Sequence, residues 1–263
     1  MCTLKSLKDQ GPIELALVFF QYKGGYIMRV YDKDESIKIK NPLKGQHALF
    51  VGDSITNAAK DDYKKSGWAG RIGRENKMIW KNAGVNAASV SNVRGSNQII
   101  HQIINSRSHK YDYVILHGGI NDAMDSAPIG NITNSFNIGE FNNSTFAGGL
   151  EELFCYTYKC FYGAKFGYIV NYATPNSNWG GETKDMSSYF NMAKDICEKW
   201  SIPYIDLFEG KVEVNGKLLS YSYDILKMDT SECLYDCDLG EVHIGGKGYD
   251  VISPYIADWM KTL

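Results

Sequence analysis

Ser54 is the residue of this chain whose position most suggests covalent chemistry. It ends an apolar run, Phe50-Val51-Gly52-Asp53-Ser54, and a second apolar run, Tyr113 to Leu116, leads into Gly118-Gly119-Ile120-Asn121-Asp122. Parallel sheets bind ligands at the carboxyl ends of their strands, so both runs would bring polar groups to one edge. A serine becomes a nucleophile only when a base accepts its proton and donors stabilise the resulting oxyanion. Without such partners, Ser54 would be interpreted as a helix cap.

Candidate oxyanion donors follow two neighbouring apolar runs. Gly84 comes two residues after Asn82, and a glycine there can offer its backbone N–H at close approach. Asn121 can offer a side-chain N–H from the adjacent strand end. With the backbone N–H of Ser54, these groups make three donors, which suits a tetrahedral oxyanion. The alternatives are a tight turn at Gly84 and a loop side chain bonded to its own backbone at Asn121.

His243 is the best candidate for the general base among the five histidines. It lies in Gly240-Glu241-Val242-His243-Ile244-Gly245-Gly246, just before the last predicted helix, from where it could reach Ser54. His117 closes an apolar strand beside the site, as a wall residue or as a half-buried histidine with satisfied hydrogen bonds. The others are expected at the wrong end of the sheet or on the exposed surface: His47, His101 and His109.

From residue 47 onward, short apolar runs alternate with longer amphipathic stretches. This alternation predicts an α/β fold in which a five-stranded parallel sheet lies between two layers of helices. The predicted strands are His47 to Val51, Met78 to Asn82, Tyr113 to Leu116, Gly167 to Ala173 and Pro203 to Leu207. The predicted helices are Asp62 to Glu75, Asn92 to Ser106, Thr145 to Phe161, Asp185 to Trp200 and Gly246 to Thr262.

Residues 1–45 do not follow this alternation, and we interpret them as a small β-rich appendage to a domain at 46–263. Its predicted strands are Ile13 to Gln21, Tyr26 to Tyr31 and Ser36 to Lys40. Further along, Val212 to Leu218 alternates around Asn215-Gly216, which predicts a hairpin. The long polar stretch from Asp125 to Asn143 is either a wall of a substrate cleft or a surface loop.

Composition excludes several classes of function. Lys and Arg number 28 against 30 Asp and Glu, a formal charge of −2, so we expect no nucleic-acid partner. The apolar run Ile13 to Phe20 is too short to span a bilayer, and we expect no membrane partner. Cys233 and Cys237 lack the spacing of a zinc knuckle, and no metal or cofactor is expected. The start of the sequence shows no secretory signal, which makes the cytoplasm the default expectation.

These blocks together resemble the SGNH hydrolases, also called GDSL-like lipases or esterases. The resemblance rests on Gly52-Asp53-Ser54, Gly84, Gly119-Ile120-Asn121-Asp122 and a late His243 followed by Gly248-Tyr249, four blocks in the right order over residues 47–262. It implies a flavodoxin-like sandwich and a serine esterase mechanism. It also implies that Ser54 is the nucleophile, that Gly84 and Asn121 are oxyanion donors, and that His243 is the base. The leucine that follows the serine in the family name is Ile55 here.

The acid of the triad departs from the family pattern. The family usually has Asp three residues before its histidine, where this chain has Gly240. Asp238 is the favoured replacement, because a short insertion in the loop could restore its position. Glu241 is the second candidate, and a serine–histidine dyad oriented by a backbone carbonyl is the third.

The expected activity is hydrolysis of a carboxylic ester through an acyl-enzyme. The polar, Asn- and Gly-rich surroundings favour a small acyl group, such as acetyl on a carbohydrate, over a long lipid chain. Substrate contacts are expected from Asp53, His117, Asp122 and Trp179, although the two aspartates could instead brace loops. The alternative is a carbohydrate-binding or adaptor domain that keeps the fold without the chemistry. The oligomeric state is left open.

Overall fold

The structure is a computed structural model that describes residues 15–22, 25–32, 41–59, 61, 66–174, 178–179, 182–183, 186–228 and 242–263. The chain divides into two compact units, residues 1–41 and 42–263. In the first unit, β1 (Leu15–Tyr22) and β2 (Gly25–Asp32) pair as an antiparallel hairpin. The third strand expected there, Ser36 to Lys40, lies outside the described residues.

The second unit contains a five-stranded parallel sheet. Its strands in chain order are β3 (His47–Val51), β4 (Ile79–Asn82), β5 (Tyr113–His117), β6 (Lys165–Val170) and β9 (Tyr204–Asp206). They lie side by side in the order β4-β3-β5-β6-β9. Strand β5 is buried along its whole length, as expected for a central strand covered on both faces. The predicted parallel sheet is therefore confirmed, with strand bounds that differ from the prediction by at most three residues.

Helices cover the sheet on both faces in a three-layer α/β/α arrangement. The longer ones are α2 (Gly67–Glu75), α3 (Ile100–Ser106), α5 (Phe146–Cys160), α6 (Ser187–Lys199) and α7 (Gly246–Met260). Helices α2 and α7 pack against each other, while α5 packs against α3 and α6. The predicted helix at Asn92 to Ser106 is wrong in its first half, where a 3₁₀ turn at Asn92–Arg94 precedes α3. Gly95 separates the two with a positive φ of 60°.

Two short helices follow strands of the sheet. These are α1 (Ser54–Asn57) after β3 and α4 (Ile120–Met124) after β5. They place the nucleophile candidate and Asn121 at the carboxyl edge of adjacent strands.

Smaller elements complete the unit. They are the pair β7 (Asn178–Trp179) and β8 (Glu182–Thr183), the hairpin β10 (Lys211–Val214) and β11 (Lys217–Ser220), and a π-helical turn at Tyr221–Ile225. Asn215 and Gly216 both have positive φ, as a tight two-residue hairpin turn requires, so this predicted hairpin is confirmed. No helix in the described part of the chain is both long and apolar enough to cross a membrane.

Candidate active site

The turn between β3 and α1 places Ser54 at the first position of a short helix. Asp53 caps this helix, because its Oδ1 accepts the Ile55 N–H at 2.9 Å. Gly52 must lack a side chain, since a Cβ there would lie 2.3 Å from Thr56 Oγ1 and 2.6 Å from the His117 carbonyl oxygen. Ser54 itself is 7% exposed, so the turn brings its hydroxyl just to the surface.

The Gly52 peptide is held by a buried side chain that the sequence did not single out. The Gln102 amide of α3 accepts the Gly52 N–H at 2.8 Å and donates to the Gly52 carbonyl at 2.7 Å. These two hydrogen bonds fix the peptide groups on both sides of Gly52, just before Ser54. A Gln 50 residues further along the chain is a weak sequence signal, because most glutamines are exposed.

His243 and Ser54 meet although 189 residues separate them in the chain. The distance from His243 Nε2 to Ser54 Oγ is 2.7 Å, within normal hydrogen-bonding range. With a neutral ring whose Nε2 is unprotonated, Ser54 donates its hydroxyl proton to that nitrogen. The structure therefore brings together the nucleophile and base candidates in the geometry that proton transfer needs.

The loop that carries His243 is anchored on both sides. The Tyr172 hydroxyl donates to the Val242 carbonyl at 2.8 Å and accepts the Ile244 N–H at 3.4 Å.

Beyond the loop, the buried Arg71 donates to the Gly246 carbonyl at 2.9 Å at the start of α7. Arg71 is itself paired with Asp61 and Asp250, at 2.5 Å each. Burial lowers its pKa, but the hydrogen bonds to these carboxylates outweigh burial and the net shift is upward.

Asn121 lies on α4, at the carboxyl end of the strand next to β3. Its Nδ2 donates one hydrogen to the Ala88 carbonyl at 2.9 Å, and the side chain is 6% exposed. This is its one side-chain hydrogen bond among the described residues, so the second Nδ2 hydrogen is available to a ligand.

Gly84 lies at the neighbouring strand end, but its backbone N–H is already engaged. It donates to Asn82 Oδ1 at 3.0 Å, so contact with an oxyanion would require it to share or exchange that bond. The absence of a side chain has a separate cause, because a Cβ on Gly84 would lie 2.6 Å from the Asn57 nitrogen. The close approach between this loop and α1 explains the glycine whether or not its N–H contacts substrate.

Three residues expected to contact substrate are buried in the structure. Asp122, 0% exposed, accepts N–H bonds from Val90 and Ser91, each at 2.8 Å. Burial raises its pKa, against the lowering effect of the Ser91 and Val90 hydrogen bonds. Asp53 and His117 are 0% and 2% exposed and contact each other, with 3.5 Å from Asp53 Oδ1 to His117 Nδ1. These contacts favour the alternative that the two aspartates brace loops, and substrate contact by Asp53, His117 or Asp122 stays a prediction.

The remaining candidates of the site cannot be placed in the same way. Asp238 and Glu241 lie outside the described residues. Trp179 is described by its backbone alone, as the second residue of β7. The orienting acid and the aromatic contact therefore stay predictions. Among the described residues, no cluster of three or more His, Cys, Asp or Glu side chains could hold a metal ion.

Comparison with known proteins identifies the family. The model of the GDSL-like lipase/acylhydrolase family matches residues 50–251, which include Ser54, Asn121 and His243. The chain belongs to the GDSL-like lipase/acylhydrolase family. Membership in this family implies a hydrolase that acts on esters. No curated protein matches the sequence.

Solved structures of low sequence identity share the fold of this GDSL-like hydrolase. A protein from Lactobacillus plantarum is 15% identical with a TM-score of 0.61, over 83% of this chain and 98% of its own. A possible lipase from Chitinophaga pinensis is 18% identical with a TM-score of 0.58, over 82% and 98%. A member of the lipolytic protein G-D-S-L family from Veillonella parvula is 16% identical with a TM-score of 0.57, over 82% and 99%.

Proposed function

We propose that this protein is a serine esterase that cleaves a carboxylic ester through an acyl-enzyme on Ser54. The observation that carries the proposal is the 2.7 Å contact between His243 Nε2 and Ser54 Oγ. These two side chains, a potential nucleophile and a potential base, are 189 residues apart in the chain. Packing alone does not require them to form a hydrogen bond. The contact is what general-base activation of a serine requires.

The proposed reaction uses the dyad twice. Ser54 Oγ attacks the ester carbonyl carbon while His243 Nε2 takes the hydroxyl proton, and the carbonyl oxygen becomes an oxyanion. The Ser54 backbone N–H and the free Asn121 Nδ2 hydrogen stabilise this charge, with Gly84 as the further predicted donor. The tetrahedral intermediate collapses by breaking the bond to the alcohol, which leaves with the proton from His243. Water then attacks the acyl-enzyme in the reverse sequence and releases the acid.

The favoured substrate is a small acyl ester, such as acetyl, on a carbohydrate. Support comes from two exposed pairs of amide side chains, one of which includes Asn57 of α1. Asn57, three residues after Ser54, donates from Nδ2 to Asn86 Oδ1 at 2.9 Å at the exposed surface. Asn92 and Asn143 form a second exposed amide pair at 3.1 Å. Exposed amides suit the hydroxyl groups of a sugar and offer little to a long acyl chain.

The test is Ser54→Ala assayed with p-nitrophenyl acetate beside the wild type. We expect kcat to fall by at least about 10³-fold, since no nucleophile remains. Ser106→Ala is the control, because this buried serine at the end of α3 accepts a hydrogen bond from Lys81 Nζ at 3.0 Å and is no part of the dyad. Unchanged turnover in Ser54→Ala would overturn the mechanism.

The substrate is tested separately, by comparing kcat/KM for acetyl and octanoyl esters and by measuring acetate release from acetylated oligosaccharides. A preference for the octanoyl ester would overturn the small-acyl assignment alone.

A further inference from the structure

The end of strand β6 connects the two halves of the candidate dyad. Asn171 and Tyr172 follow directly after Val170, the last residue of β6, and are 0% and 2% exposed. Strand β6 pairs with β5 on one side and β9 on the other, so its end is fixed within the sheet. Beyond the pair, the Ala173 N–H donates to Ser222 Oγ at 2.9 Å. The two side chains therefore project from a rigid support.

Tyr172 holds the residues on both sides of His243. Its hydroxyl donates to the carbonyl before His243, at Val242, and accepts the N–H after it, at Ile244. Val242 and Ile244 are 3% and 0% exposed, so water does not compete for these bonds. A single phenolic oxygen thus fixes the backbone from which the histidine ring projects. The ring can reach Ser54 at 2.7 Å only while that backbone keeps its position.

Asn171 reaches the nucleophile turn through the ring of His117. Asn171 Oδ1 lies 3.2 Å from His117 Nε2, and His117 Nδ1 lies 3.2 Å from Thr56 Oγ1. The same Nδ1 lies 3.5 Å from Asp53 Oδ1, so the ring contacts residues on both sides of Ser54. Asn171 Nδ2 and Asp53 Oδ2 are buried and make no hydrogen bond within the described residues. Unsatisfied buried polar atoms are costly and are retained where an arrangement serves a function.

We propose that Asn171 and Tyr172 are positioning residues that set the distance between Ser54 and His243 from one strand end. Tyr172 acts on the base through Val242 and Ile244, and Asn171 acts on the nucleophile through His117. Neither touches the reacting atoms. This assignment rests on the proposed function of Ser54 and His243, because it concerns how that pair is held.

Tyr172→Phe tests the effect of Tyr172 on the base His243, since it keeps the ring and removes only the hydroxyl. The fraction of competent enzyme is measured by titration to completion with a fluorophosphonate that labels Ser54, and kcat is expressed per titrated site. We expect kcat per site, and the rate constant of labelling, to fall about 10-fold to 100-fold with KM little changed. Tyr189→Phe is the matched control, because this buried tyrosine also donates to a backbone carbonyl, that of Ala127 at 2.5 Å.

Asn171→Ala tests the effect of Asn171 on the nucleophile through His117, with the same active-site titration. We expect a similar fall in the labelling rate, whereas Asn76→Ala, which removes a buried amide bonded to the Ile72 carbonyl, leaves it unchanged. A merely structural role would lower thermal stability and the number of titrated sites but not kcat per site. If kcat per site stays within about twofold of wild type in both variants, the proposal is overturned. A wild-type protein that cannot be labelled at Ser54 would instead overturn the proposed function.

Discussion

His243 needs a group that orients its ring. At the scale of single residues, the identity of this group has the largest consequence for activity. The family position three residues before the histidine is Gly240, so the carboxylate must come from elsewhere in the loop or be replaced. Tyr172 holds the backbone on both sides of His243 through Val242 and Ile244. Holding the backbone and orienting the imidazole are thus separate tasks.

We predict that Asp238→Asn lowers kcat strongly, by up to about 10⁴-fold, as loss of the orienting carboxylate does in triad enzymes. Glu241→Gln is the matched comparison and is expected to retain most activity. The measurement is kcat for p-nitrophenyl acetate in both variants. A large loss confined to Glu241→Gln would reject Asp238 in favour of Glu241. Near-wild-type rates in both variants would show that neither carboxylate is required. The alternative of a serine–histidine dyad oriented by a backbone carbonyl would then stand.

At the scale of elements, the stretch between α4 and α5 is packed by a buried ion pair. Glu151 of α5 is 0% exposed, contacts Lys199 at the end of α6, and accepts the Thr133 N–H at 3.0 Å. Lys199 also donates to the Ser135 carbonyl at 2.6 Å. Residues 133–135 are therefore tied to two helices. At its start, the same stretch is tied to the loop after β4 by the Arg94–Asp125 ion pair.

We predict that Lys199→Met lowers the free energy of unfolding by about 3 kcal/mol, because it leaves a buried carboxylate without its cation. Lys194→Met is the matched control. Lys194 is 15% exposed, close to the 14% of Lys199, but one of its carboxylate partners, Glu209, is 59% exposed. Removing it should cost less than about 1 kcal/mol. Urea unfolding of the two variants checks the difference, and equal losses would contradict the importance given to burial of Glu151.

Elements with a clear hydrophobic period were predictable from the sequence, and those without it were not. The buried run Tyr113–His117 and the Asn215-Gly216 turn each carry a local signal. The helices α1 and α4 span four and five residues, too few to show a helical repeat. Likewise, Asn171 and Tyr172 looked like ordinary strand residues, since their partners His117 and Val242 are 54 and 70 residues away. Contacts at such separations leave no trace in a local pattern.

At the scale of the whole molecule, the core of the second unit includes several tyrosines. Tyr168 and Tyr249 are fully buried, and burial raises the pKa of each hydroxyl well above its ordinary value. Burial also raises the pKa of Tyr221 to about 12. Tyr249 donates to the Ile55 carbonyl at 3.0 Å, which links the last helix to the nucleophile helix. These hydroxyls keep their protons as long as the fold holds.

We predict that stability falls as the pH rises above about 10, where tyrosines ionise in the unfolded chain but not in the folded one. The folded state then binds more protons than the unfolded state, so raising the pH favours unfolding through the window up to about 12 set by Tyr221. Tyrosinate absorbance followed together with circular dichroism checks this. We expect the buried tyrosines to ionise only as the dichroism signal is lost. Ionisation of all 18 tyrosines with the fold intact would contradict it.

The most direct measurement of the central claim is covalent labelling of the wild-type protein by a fluorophosphonate, followed by peptide mass spectrometry. The account predicts one adduct per chain, located on Ser54, and slow or no labelling in His243→Ala because the 2.7 Å contact that activates the hydroxyl is lost. Either the absence of an adduct on Ser54 or labelling that does not depend on His243 would contradict the account. The former result would favour the alternative of a binding domain that retains the fold without the chemistry.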